Sequence, residues 1–107
     1  MRLFYHPDTK DISLPGVLYA LGDPIRLEIV KHLATEGEQP CAAVCEALGL
    51  AIAKSTMSHH FRVLREAGIT CCRKEGTQHL NTIRRQDLEE RFPGLLDVVL
   101  GCVQKAR

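Results

Sequence analysis

The stretch from Lys54 to Gly68 is the most constraining part of this chain. Met57, Phe61 and Leu64 recur four and three residues apart, which places them on one side of a helix, facing a core. Ser55, Thr56, Ser58, His59, Arg62 and Arg65 lie mostly off that stripe. The spacing predicts a helix from about Lys54 to Ala67, closed by Gly68, whose exposed side carries hydrogen-bond donors and cations.

The flanking sequence reads as a series of short helices and one hairpin. Residues 1–12 are polar, contain Pro7 and are expected to form a loosely held arm ahead of one domain spanning 13–107. A short helix is expected over Leu14–Leu21, with Pro15 tolerated in its first turn. Asp23 is a good N-cap and Pro24 suits the first helical position, so a second helix follows. Leu27, Val30 and Ala34, with Ile29 and Leu33, give it a broad apolar face, and Glu36-Gly37-Glu38 ends it. Pro40 opens a third helix, Cys41–Leu48, stopped by Gly49. The turn Leu50-Ala51-Ile52-Ala53 leads into the Lys54 helix.

Beyond Gly68, Ile69–Lys74 and Thr77–Arg84 read as two strands joined at Glu75-Gly76. Asp87 begins a helical tail that Pro93-Gly94 interrupts, and Leu95–Val103 is nearly all apolar. The fold class that follows is mainly α with a small β-hairpin. Helix, helix, helix, turn, helix, hairpin, helix is the order of a winged helix-turn-helix. The interior has no Trp and must rest on Leu, Ile, Val and Ala, which suits packed helices. Leu96, Val99, Leu100 and Val103 recur at helical spacings without an evident partner in so small a chain. A homodimer built through the terminal helices is therefore expected.

A net charge of +1 looks too small for a nucleic-acid binder until its distribution is followed along the chain. Residues 1–53 carry four Lys/Arg against seven Asp/Glu, and residues 87–107 carry three against four. Residues 54–86 carry seven cations (Lys54, Arg62, Arg65, Arg73, Lys74, Arg84 and Arg85) against Glu66 and Glu75. The excess of +5 sits on the helix and hairpin that a winged helix-turn-helix turns toward DNA.

In that arrangement the second helix of the motif enters the major groove with its N-terminal residues facing base edges. Lys54, Ser55, Thr56, Ser58, His59 and Arg62 are the expected DNA contacts there, and Arg73, Lys74 and Gln78 on the hairpin complete the set. Ser55 has two compatible readings, as a helix N-cap or as a phosphate contact. Of His59 and His60, one is expected to be exposed and the other partly packed. The expected partner is double-stranded DNA.

Two segments carry a family resemblance. Ala20-Leu21-Gly22-Asp23-Pro24-Ile25-Arg26-Leu27-Glu28-Ile29-Val30 resembles the start of the ArsR-type (ArsR/SmtB) repressor domain. Ser55–Ile69 followed by Arg73-Lys74-Glu75-Gly76 is similar to its recognition helix and wing. The resemblance covers roughly residues 16–85. It implies a homodimeric repressor that leaves its promoter on meeting an inducer, with the first and last helices forming the dimer interface.

The chain departs from the family's metal sensors. Cys41 and Cys45 are four apart rather than forming a Cys-x-Cys pair, and no His follows His79 to build a site on the last helix. The turn before Lys54 is also longer than the family's. No structural metal or cofactor is expected, since no four ligands have the required spacing.

The five cysteines are odd in number and irregularly spaced, which does not suggest a disulfide framework. Each has two readings. One is a small hydrophobic filler. The other is part of a thiol or metalloid sensor, using Cys41 or Cys45 with Cys102 or Cys72. Cys71 and Cys72, adjacent on a strand, should face opposite sides.

The rival class, a thiol-based redox or metal-handling protein without DNA binding, lacks Cys-x-x-Cys, a Gly-rich phosphate loop and HExxH. An enzyme is not expected. The absence of a long apolar run leads to the expectation of a cytoplasmic protein with no membrane partner.

Overall fold

Punctuation residues set the helix boundaries in the computed structural model, which describes residues 5–49 and 51–105. The Ser13 hydroxyl accepts from the Gly16 N–H and starts α1 (Leu14–Leu21). The Asp23 carboxylate accepts from the N–H groups of Ile25 and Arg26 at 2.8 and 3.1 Å and starts α2 (Pro24–Glu36). A two-residue strand, β1 (Gln39–Pro40), precedes α3 (Cys41–Leu48), which ends on left-handed Gly49. Leu50, in the turn that follows, lies outside the described residues, as do residues 1–4 of the expected arm.

The helix expected near Lys54–Ala67 is α4 (Lys54–Glu66). Gly68 ends it in a Schellman arrangement. The Gly68 N–H donates to the Arg65 carbonyl, and the Ile69 N–H reaches back to that of Leu64 at 3.0 Å. The position demands glycine twice over. Its φ is +87°, and a Cβ there would stand 2.5 Å from the Ile12 side chain.

The hairpin consists of β2 (Thr70–Glu75) and β3 (Gln78–Ile83), antiparallel with Cys72 opposite Asn81. The sheet has a third strand that the sequence reading did not anticipate. β1 pairs with β3 at Gln39–Asn81 and Pro40–Leu80, giving the order β1-β3-β2. Two residues ending in Pro are too short for a strand to show as a sequence pattern. The tail is two helices, α5 (Arg85–Arg91) and α6 (Leu95–Lys105), split at Pro93-Gly94. The architecture is a winged helix-turn-helix, mainly helical with a small antiparallel sheet.

The core gathers Ile29, Val30 and Leu33 of α2 with Val44 of α3, Met57, Phe61 and Leu64 of α4, and Ile69. Two expectations need correction. The described part of the arm is not loosely held. Ile12 is fully buried, the Ile12 carbonyl accepts from Arg91, and that of Pro7 accepts from Arg84 at 2.7 Å. The Thr9 hydroxyl donates to Asp87, and the His6 Nε2 accepts the Cys72 N–H of edge strand β2 at 3.0 Å. Long-range polar partners tie the arm down, and local composition does not reveal them.

The other correction concerns α6. Leu96 and Val103 are buried within the chain, and Val99 and Leu100 are half-buried. Val98, 64% exposed, and Cys102 are side chains that α6 leaves in water. No helix among the described residues is long and apolar enough to cross a membrane.

Candidate nucleic-acid interface

α4 separates its two sides sharply. Met57, His60, Phe61 and Leu64 are buried, while Lys54, Ser55, Thr56, Ser58, His59 and Arg62 are all exposed. One Arg62 guanidinium nitrogen stands 3.3 Å from the His59 Nδ1, so the two side chains form a joint donor surface one turn into the helix.

The N-cap is Ala53, which offers no side-chain acceptor. Ser55 is therefore inside the first turn rather than capping it. The Ala53 carbonyl accepts from Thr56 and Met57, so the N–H groups ahead of them point out of the helix end, where an anion is favoured.

The wing is less uniform. Lys74 and Gln78 are exposed near its tip. Arg73 is exposed as well, but a two-pronged bond engages it, with Nε and a terminal nitrogen each 2.9 Å from the Glu38 carboxylate. Glu75 adds a weaker contact at 3.4 Å. The Arg73 bond holds the Glu38 carboxyl below the usual carboxylate range, so the pair is ionised at neutral pH. Arg73 therefore has an intramolecular carboxylate partner that DNA would have to replace.

Of the expected thiol set, Cys41 lies near enough to Cys45 and Cys72 to interact with them electrostatically, and Cys102 stands apart. Cys41 and Cys45 line a cleft of about 730 Å³ between α3, α4 and the wing, bordered by Lys54, Ser58 and Gln78. Cys102 lies in a separate groove of about 490 Å³ between α1, α2 and α6, with Leu18, Leu27 and Val98. Cys72 is buried and Cys71 half-buried, on opposite faces of β2. Burial pushes the Cys41, Cys45 and Cys72 thiols up, away from the reactive thiolate form. Cys41 Sγ accepts a hydrogen bond from the Asn81 amide at 3.1 Å. Among the described residues, no three His, Cys, Asp or Glu side chains gather to hold a metal ion.

Arg26 was not among the expected site residues. It is 7% exposed, and its guanidinium contacts His60 on the inner side of α4. The signal was present, since Arg26 stands four and seven residues before Val30 and Leu33, on the stripe that faces the core.

A family model described as a helix-turn-helix domain matches residues 21–70. An uncharacterised HTH-type transcriptional regulator of Bacillus subtilis, YceK, is 34% identical over 84 residues, which span 78% of this chain and 82% of that protein. The homodimeric winged helix-turn-helix DNA-binding domain of a possible ArsR-family transcriptional regulator from Mycobacterium bovis is 31% identical. It superposes with a TM-score of 0.65, covering 80% of this chain and 76% of that one. The transcriptional repressor BigR from Xylella fastidiosa is 28% identical with a TM-score of 0.59, covering 74% of this chain and 85% of its own.

Proposed function

Given that the chain belongs to the ArsR-type helix-turn-helix transcriptional regulators, we propose that it acts as a homodimeric repressor of double-stranded operator DNA, released by a small inducer. The observation that carries this reading is the outer face of α4. Lys54, Arg62, the hydroxyls and His59 are exposed there, with Arg65 half-buried, while every large apolar residue of that helix from Met57 to Leu64 is turned inward or half-buried.

Each group has a physical role. The open N–H groups at the start of α4, with Lys54, Ser55 and Thr56, anchor a phosphate. Ser58, His59 and Arg62, further along the same face, meet base edges, where Arg62 can engage a guanine in a two-pronged contact. Lys74 and Gln78 on the wing contact the flanking backbone, joined by Arg73 when it leaves Glu38.

Dimerisation is supported by Leu14, Leu18, Tyr19 and Val98, which are 43–69% exposed on α1 and α6. The related Mycobacterium domain is itself homodimeric. Two copies related by a two-fold axis would present two recognition helices to a palindromic site.

The test is selection of duplexes from a random-sequence pool, followed by binding measurements on the selected duplex. Enrichment of a palindromic site is expected. A Ser58→Ala, His59→Ala, Arg62→Ala triple variant should keep its fold and lose the preference for that site. Full specific affinity in the triple variant would sink the assignment.

A further inference from the structure

A guanidinium is the least expected group in the core of so small a domain, and Arg26 is buried there. Its Nε donates to the Ala20 carbonyl at 2.6 Å, and one terminal nitrogen donates to that of Tyr19 at 3.3 Å. The other terminal nitrogen stands 3.2 Å from the His60 Nδ1. The Tyr19 ring lies over the same guanidinium, 5.4 Å from its carbon. One side chain therefore joins the last turn of α1, the first turn of α2 and the inner side of α4.

Arginine has donors and no acceptor. Its contact with Nδ1 requires the lone pair there, so His60 is a neutral imidazole with its proton on Nε2. The charged groups around His60 are Asp23 and Arg26 from α2 and His59 from its own helix. Asp23 attracts a proton, but burial opposes one more strongly, and Arg26 and His59 add to the opposition. A proton on Nδ1 would remove the acceptor and set two cations against each other.

We infer that Arg26 is a positioning residue for DNA recognition: through the neutral Nδ1 of His60 it holds α4 against the α1–α2 pair, and protonation of His60 frees α4 from that hold. The inference rests on the DNA-binding reading above. A proton on His60 loosens the helix that carries the DNA face.

The test compares wild type with His60→Gln on the selected palindromic duplex, from about pH 8 down to about pH 5.5. Glutamine offers Arg26 a carbonyl acceptor and does not titrate. The ratio of wild-type Kd to variant Kd is expected to rise about two- to fivefold over that range, part of the tenfold that a one-unit difference in proton affinity between bound and free protein gives at still lower pH. A flat ratio overturns the positioning role. Should the variant not fold, nitrogen NMR of wild-type His60 decides. The Nε2-protonated form at neutral pH is expected, and an Nδ1-protonated form or an imidazolium overturns the inference.

Arg26→Lys keeps the charge but not the three-pronged reach. It is expected to weaken binding to the selected duplex several-fold more than binding to a random-sequence duplex. Equal losses on both would mark a purely structural role and overturn the proposal. If the wild type selects no duplex, the functional reading itself fails, which separates that failure from a flat pH ratio.

Discussion

Two faces of this molecule are left in water for opposite reasons. The outer side of α4 exposes Lys54, Ser55, Thr56, Ser58, His59 and Arg62, all of which hydrate well. The α1–α6 face exposes Leu14, Leu18, Tyr19 and Val98 around a groove lined by Leu21, Leu27 and Val99. At about 25 cal/mol per Å² of apolar surface, the second face favours covering and the first does not. Exposure by itself therefore says little about partners. The chemistry of what is exposed separates a surface that waits for a polyanion from one that favours a second apolar surface.

The comparison breaks most visibly if the apolar face is charged. Leu18→Glu with Val98→Glu leaves the DNA face intact, yet it is expected to yield monomers by sedimentation. Affinity for a palindromic duplex should fall by about 10²–10⁴-fold, because the second half-site is no longer tethered to the first. A variant that stays dimeric would move the interface elsewhere.

Salt acts on the other face alone. Lys54 and Lys74 are exposed cations with no carboxylate partner among the described residues. If each meets one phosphate in both protomers, log K should fall against log salt with a slope of about −4. That corresponds to a loss of roughly a hundredfold or somewhat more between about 50 and 200 mM. A slope near zero would remove the electrostatic reading.

Smaller changes sharpen the picture within the DNA face. Arg62→Ala should cost about 1–3 kcal/mol on the selected duplex if Arg62 reads a base. Its effect should concentrate at one base position in a substitution series. A uniform loss across all positions would reassign Arg62 to phosphate.

The smallest effect is expected at Glu38→Gln, which releases Arg73 to the DNA backbone. Affinity should rise by less than about fivefold, with a steeper salt slope, because exposed ion pairs contribute little. No change in slope would mean that Arg73 stays on the wing even when freed.

Where the cause is local, the sequence showed the structure. Asp23 and Pro24 start α2 as expected, Gly49 and Gly68 end their helices, and the Met57–Phe61–Leu64 stripe turns α4 inward. The exposure of Ser55, Ser58, His59 and Arg62 followed from the same period of 3.6. The arm was misread because its hold comes from Arg84, Asp87 and Arg91, some seventy to eighty positions away. The engagement of Arg73, an expected DNA contact, was not legible because Glu38 is 35 positions distant.

By itself, the sequence determined the helices, their order, the sides they bury and the sign of charge on the helix and hairpin of residues 54–86. These depend on periodicity, caps and turns, all properties of neighbouring residues. Tertiary structure alone decided which cations are already engaged, which apolar side chains of α6 face outward, and that His60 meets Arg26. Those outcomes depend on distances between elements remote in the chain. A hydrogen bond of 3.2 Å between Arg26 and His60 exists only once α2 and α4 have packed together.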